Sequence, residues 1–131
     1  MREDKLTFNA DEKFDIQLSQ ALIDERRLAH TFEHLDIEKI ELKSESWLWE
    51  QSGNICIEYM RDGRPSGIAV THADCWVHEL KRDGGTLVYL MFPIERLKEL
   101  ARAAIRDGRF RVGGDGKRQH VALIKLRDIL R

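Results

Sequence analysis

Two kinds of periodicity divide the chain into candidate helices and strands. From about residue 17 to residue 34, apolar side chains recur at the 3.6-residue spacing of an amphipathic helix. The same spacing returns in IERLKELARAAI, which begins after Pro93 and ends before Gly108. Each segment predicts a helix with one apolar stripe. The stripes consist of Leu18, Ala21, Leu22, Leu28, Ala29 and Phe32, and of Ile94, Leu97, Ala101, Ala104 and Ile105.

Five further segments carry strand patterns. Residues 37–47 alternate with period two, and NICIEYM follows the turn residues QSGN, so residues 37–60 are predicted to form a hairpin. WVHEL and TLVYLMF flank RDGG, and HVALIKL follows GGDG. The order of helix, strands, helix and strand predicts an α+β fold with helices layered on a central mixed sheet. We expect one domain over residues 1–131, with a loose segment at residues 1–13.

The composition and the first residues of the chain argue against a membrane protein or a secreted protein. Apolar residues make up 42% and charged residues 34%, and no apolar run approaches the ~20 residues of a membrane helix. The segment MREDKLTFNADEK lacks the apolar stretch of a signal peptide. We therefore expect a cytoplasmic protein without membrane association. Cys56 and Cys75 are expected to be reduced core residues.

Charge is unevenly distributed along the chain. Residues 1–50 hold 7 Lys/Arg against 13 Asp/Glu, whereas residues 102–131 hold 9 against 3. The basic end suggests an anionic partner on one side of the fold, although opposite charges that simply pair across the fold would give the same composition. We expect a positive surface that includes Arg102, Arg106, Arg109, Arg111, Lys117 and Arg118.

Two glutamates interrupt apolar rows. Glu25 falls near the middle of the first helical stripe, and Glu58 lies in the largely apolar strand NICIEYM. A carboxylate in such a position is costly unless it is paired, hydrogen-bonded or bound to a metal. An ion pair of Glu25 with Lys43, or of Glu58 with Arg61 or Lys39, would account for both positions without a functional site.

A third acidic position lies on the alternating strand. Lys39, Glu41, Lys43 and Glu45 share one face, while Ile40 and Leu42 point the other way, towards the expected core. A solvated edge strand has the same pattern. If the helix and the two strands are neighbours, however, three acids and a lysine converge in one partly open pocket. Hard divalent cations prefer such oxygen ligands.

An ordered set of short motifs carries a family resemblance. It consists of Glu25, Glu41-x-Lys43, Gly53-Asn54 with Glu58, Ser66-Gly67, Thr71-x-Ala73-Asp74 and Gly113-Gly114-Asp115. The set resembles the PD-(D/E)xK nuclease superfamily, and residues 14–131 look like small phage or prophage proteins of that group. The resemblance implies a restriction-endonuclease-like core. The chain departs from the pattern because no Pro-Asp precedes Glu41. Asp36 lies only five residues earlier, an odd offset that faces the opposite way on one continuous strand.

The resemblance also implies a chemistry, the hydrolysis of DNA phosphodiester bonds with Mg²⁺, or Mn²⁺ in its place. Glu41 and the Leu42 carbonyl would hold the ion together with a second acid, either Glu58 or Asp36. Lys43 would orient or deprotonate the attacking water or stabilise charge on the phosphate, and Glu25 would be a ligand or a base. The expected DNA contacts are Lys39, Arg109, Arg111, Lys117 and Arg118.

The expected nuclease activity has consequences for the oligomeric state, and two alternative functions fit the same sequence. Two cuts or a branched substrate need two sites, so we expect a homodimer, and we expect no organic cofactor. A non-catalytic nucleic-acid-binding or phage accessory protein with a degenerate nuclease fold is the first alternative. An unrelated α+β interaction module, in which Glu25 and Lys43 form a structural ion pair, is the second.

One further pair of residues has metal-ligand spacing. His30 and His34 are separated by four residues on the first predicted helix, which allows both to chelate zinc. They fall on its polar face, and no cysteine or third histidine lies at a useful distance along the chain. We interpret them as surface residues.

Overall fold

The computed structural model describes residues 12–34, 39–113 and 118–130. Its helices are α1 Glu12–His34, α2 Leu48–Ser52, α3 Ile94–Arg106 and α4 Leu126–Ile129, with a 3-10 turn at Gly67–Ala69. Its strands are β1 Ile40–Glu45, β2 Asn54–Arg61, β3 Arg64–Pro65, β4 Cys75–Arg82, β5 Gly85–Pro93, β6 Phe110–Gly113 and β7 Gln119–Lys125. The α+β class is therefore confirmed. The chain divides into two compact units, Met1–Asp36 and Ile37–Arg131.

Helix α1 is the described part of the first unit. It has 23 residues and starts earlier than the apolar periodicity indicates. Leu22 and Leu28 of the predicted stripe are exposed, as is Glu25. The expectation that these side chains are buried is wrong, because the described residues of this unit hold no second element against which α1 could bury a stripe.

The second unit contains two sheets. One has three strands in the order β1-β4-β5, with β1 parallel to β4 and β4 antiparallel to β5. The other has four strands in the order β3-β2-β7-β6, all antiparallel. The strands WVHEL and TLVYLMF pair around a tight turn as predicted, with positive φ at Asp83 and Gly84.

Two predictions about strand pairing are wrong. Residues 37–60 do not form a hairpin, because β1 and β2 lie in different sheets. Between them, α2 ends at Gly53, which has a left-handed φ of 73°. One central mixed sheet was expected, and the unit contains a mixed sheet and an antiparallel sheet instead. Alternation identifies a strand but not its partner, and β1 pairs with the distant β4.

Residues of both sheets and of α3 form the core. Leu97, Ala101 and Ala104 are buried on α3, as the apolar stripe predicts. Ile55 and Ile57 of β2 are fully buried in the same cluster. Cys56 and Cys75 are free thiols; Cys75 is buried, whereas Cys56 is only partly buried and is not the core residue that was expected. Among the described helices, none is long and apolar enough to cross a membrane.

Candidate functional site

A cleft of about 500 Å³ in the second unit brings together the predicted residues Glu41, Lys43 and Glu58. Strand β1 contributes its charged face, because residues two apart along a strand point the same way. Strand β2 contributes the face opposite its buried isoleucines. The polar residues that line the cleft are Glu41, Lys43, Ser44, Glu45, Cys56, Glu58, Arg61, Thr71, His78, Arg111 and Gln119.

Glu41 and Lys43 form a loose ion pair in this cleft. Lys43 Nζ lies 3.7 Å from Glu41 Oε1, and the two side chains are 51% and 36% exposed. A pair with this exposure stabilises a fold by about 0–1 kcal/mol. Holding the fold together therefore does not require these two residues, and both can engage a bound molecule.

Glu58 is held more firmly than Glu41. Arg61 Nη2 donates a hydrogen bond to Glu58 Oε1 at 2.7 Å, and Gln119 Nε2 donates to the same oxygen. Partial burial acts to raise the pKa of Glu58, but these hydrogen bonds and the charge of Arg61 outweigh it, so the pKa lies below its ordinary value. The ion pair with Arg61 considered from the sequence is confirmed.

The backbone of the 3-10 turn packs closely against the backbone of Glu58. Gly67 has a φ of 53°, and a Cβ placed on it would lie 2.2 Å from the Glu58 carbonyl oxygen. Ser66 N donates to the Tyr59 carbonyl at 3.1 Å beside this contact. Only glycine fits there, because any side chain would push the turn away from β2 and disturb this wall of the cleft.

A hydrogen-bonded chain that the sequence did not reveal lies deeper in the cleft. Trp76 Nε1 donates to His78 Nδ1 at 3.2 Å, and His78 Nε2 contacts Glu45 Oε2. The indole N–H can only donate, so Nδ1 is the acceptor and Nε2 carries the proton that His78 donates to Glu45. The backbone N–H of Cys56 also donates to Glu45 Oε2, at 3.0 Å. Glu45 is thus a third carboxylate of the cleft, held in one orientation.

Strand register produces this chain. β1 and β4 run parallel, with Lys43 opposite His78 and Glu45 opposite Leu80. Trp76 and His78 are two residues apart on β4 and therefore share the face that meets Glu45. The Trp-x-His spacing was visible in the sequence, but its partner strand was not.

The thiol in the cleft is not a nucleophile. Burial, followed by the negative charge of Glu45, raises the pKa of Cys56 to about 11. The thiol therefore stays protonated at neutral pH, and a protonated thiol is a poor nucleophile.

The structure assigns the other predicted catalytic and metal-binding residues no place in the cleft. Glu25 belongs to the first unit, where it is exposed. Asp36 and Lys117 fall outside the described residues. Leu42 is 56% exposed rather than buried, and its side chain does not line the cleft. Its backbone carbonyl stays a predicted ligand.

The predicted basic residues have different surroundings. Arg111 lines the cleft. Arg109 Nη2 lies 3.4 Å from Asp107 and 3.6 Å from Asp128, and Lys39 Nζ lies 3.6 Å from Asp74. Arg118 is exposed next to the undescribed segment. Arg61, which sequence reasoning treated only as an ion-pair partner, is a second arginine of the cleft.

Comparisons with known proteins were made at the level of family, sequence and fold. No family model, curated protein or solved structure matches this chain. The resemblance to the PD-(D/E)xK superfamily therefore stays a hypothesis that depends on the short motifs and on the chemistry of the cleft.

A set of three potential metal ligands lies on α1, in the first unit. Each of the three residues His30, Glu33 and His34 offers one ligand atom, and these three atoms lie within 4.8 Å of one another. All three residues are exposed. Sequence reasoning found the two histidines but missed Glu33, because it searched only for a cysteine or a third histidine. Among the described residues of the cleft, no three such donors approach one another as closely.

Proposed function

We propose that the protein is a metal-dependent nuclease that hydrolyses DNA phosphodiester bonds in the cleft. The observation that carries the proposal is the presence of Glu41, Lys43 and Glu58 on the walls of one cleft. Arg61 and Arg111 line the same cleft and supply positive charge for a phosphate group. A restriction-endonuclease-like core, a homodimer, a cytoplasmic location and a phage or prophage origin belong to the same proposal.

The donor chemistry of the cleft suits Mg²⁺ at Glu41 better than at Glu58. Mg²⁺ in nucleotide-processing sites is held by one or two carboxylates, with waters and substrate phosphates completing its shell. Glu41 is half-exposed and only loosely paired. Glu58 Oε1 already accepts two hydrogen bonds. Glu41 and the Leu42 carbonyl would therefore hold Mg²⁺ or Mn²⁺, and the ion would neutralise phosphate charge and acidify a bound water.

The side chains of the cleft have separate roles in this proposal. Lys43 lies beside Glu41, where it stabilises charge on the phosphate and orients the attacking water. Arg61 and Arg111 bind phosphate oxygens and fix the DNA backbone in the cleft. His78 and the Cys56 amide hold the Glu45 carboxylate in place at the border of the cleft. Glu45 therefore does not compete for the Lys43 ammonium group.

Replacing Lys43 with alanine tests this mechanism. We expect the native chain to cleave DNA when Mg²⁺ or Mn²⁺ is titrated against plasmid, single-stranded and branched substrates. Cleavage by Lys43→Ala should be about 100-fold slower, since a positioned group that stabilises transition-state charge contributes at least this factor. Lys98→Ala is the matched control, because Lys98 pairs with Glu95 on α3. A native chain that cleaves none of these substrates with either ion would contradict the proposal.

A second candidate is a nucleic-acid-binding protein without catalytic activity. The engagement of Glu58 by Arg61 and Gln119 favours it, because this acid is then an internal ion-pair partner and not a metal ligand. Binding of DNA without cleavage under all the conditions above would select this candidate.

Salt dependence reports on the phosphate contacts that both candidates require. DNA affinity should fall steeply with salt, and Arg111→Ala should reduce the slope of log K against log [salt] by about 1. Arg96→Ala, on α3 and paired with Glu99, should leave the slope unchanged. Affinity measured by fluorescence anisotropy at several salt concentrations gives both numbers. Affinity that does not change with salt, or no binding at low salt, would remove the nucleic-acid function altogether.

A further inference from the structure

We propose that α1 carries a binding site for a divalent transition-metal ion, with Zn²⁺ as the best fit, formed by His30, Glu33 and His34. One ligand atom from each residue lies within 4.8 Å of the other two, close enough for all three to reach one ion. The site lies within the first unit and is independent of the function proposed for the cleft.

Helical spacing explains why these three side chains meet. Residues three and four apart are neighbours on a helix surface, with Cβ atoms about 5–6 Å apart. His30 therefore lies beside both Glu33 and His34. The two imidazole rings are side by side, with centroids 4.1 Å apart and planes 37° from each other.

One hydrogen bond prepares His34 as a ligand. His34 Nδ1 lies 2.8 Å from the backbone carbonyl of His30, which can only accept, so Nδ1 carries the proton. The lone pair is then on Nε2, and the ring is fixed in orientation. Histidine ligands of metal ions in proteins usually donate their second nitrogen to a carbonyl or carboxylate in this way.

The donor set selects the class of ion. Two imidazole nitrogens and one carboxylate oxygen suit Zn²⁺, Co²⁺ or Ni²⁺, whereas Mg²⁺ prefers a shell of oxygen atoms. Zinc binds four ligands in a tetrahedron, so three protein donors leave one position for water or an anionic group. All three residues are exposed, and an ion held there is accessible from solution.

Metal binding by the full chain tests the site. Titration calorimetry with Zn²⁺, and the visible absorption of bound Co²⁺, should show one site in the native chain. His34→Ala and His30→Ala should each weaken Zn²⁺ binding at least about 10-fold, since even the loss of an outer hydrogen-bond partner costs that much. Glu33→Gln should weaken it less. His72→Ala, which removes another exposed histidine, should bind as the native chain does.

Weaker Zn²⁺ binding by the alanine variants would not be caused by a loss of helical structure. Alanine has a higher helix propensity than histidine, so the alanine variants keep α1 helical, which far-UV circular dichroism verifies. Undetectable Zn²⁺ binding by the native chain would overturn the proposal. Binding that survives the double substitution of His30 and His34, or that falls equally in His72→Ala, would overturn it as well. An excess of Mg²⁺ that displaces Zn²⁺ would contradict the assigned class of ion.

Discussion

We expect Glu41→Gln to abolish the Mg²⁺-dependent DNA cleavage proposed for the cleft and to leave the folded protein intact. Glutamine keeps the size of the side chain but removes the negative charge that holds a hard cation. The pair with Lys43 is half-exposed, so its loss changes the free energy of unfolding by no more than about 1 kcal/mol. Cleavage assays and thermal melts with and without Mg²⁺ measure the two effects separately. The substitution should also remove the stabilisation expected from Mg²⁺ in the native chain, since an ion that binds only the folded state raises stability by mass action.

A second surface glutamate controls for the loss of charge alone. Glu50 Oε1 pairs with Arg82 Nη2 at 2.6 Å, outside the cleft. Glu50→Gln should cleave at the native rate and keep the Mg²⁺ response. Cleavage by Glu41→Gln at the native rate, or native melts that do not respond to Mg²⁺, would show that Glu41 does not hold the ion. A large, metal-independent loss of stability would instead assign Glu41 a structural role.

His78→Ala should lower the free energy of unfolding by about 3–5 kcal/mol, from the loss of a large buried side chain and of its hydrogen bonds. His78 is 1% exposed and bridges Trp76 to Glu45. Alanine would leave the Trp76 N–H without an acceptor and Glu45 without one of its donors, and it would open a cavity in the core. Urea unfolding followed by tryptophan fluorescence gives the difference in free energy.

Two other variants separate the hydrogen bonds from the loss of volume. Glutamine at position 78 can accept from Trp76 and donate to Glu45, so His78→Gln should recover part of the stability. His72→Ala removes an exposed histidine and should change the free energy of unfolding by less than about 0.5 kcal/mol. If His78→Ala unfolds at nearly the native urea concentration, the chain from Trp76 to Glu45 does not stabilise the fold.

Sequence patterns predicted the features that depend only on the spacing of residues along one element. The stripe of α3 indicated its buried residues, because 3.6-residue spacing places them on one face of any helix. Alternation on β1 placed Glu41 and Lys43 together, since residues two apart share a face of any strand. Alternation alone does not account for the pairing of Glu58 with Arg61, because side chains three residues apart face opposite ways on a regular strand. The two meet on β2, where the register shifts between Glu58 and Met60.

Tertiary structure decided which elements meet. The parallel pairing of β1 with β4 joins residues more than thirty positions apart, and it alone brings Glu45 to His78 and Trp76. Alternation along a strand does not indicate which strand it pairs with. A hairpin of β1 with β2 was therefore as consistent with the sequence as the observed pairing of β1 with β4. The stripe of α1 shows the same limit, because periodicity marks an apolar face but not whether another element covers it. The sequence by itself therefore determined the faces of the strands and the helices, and long-range packing determined which of those faces became the cleft.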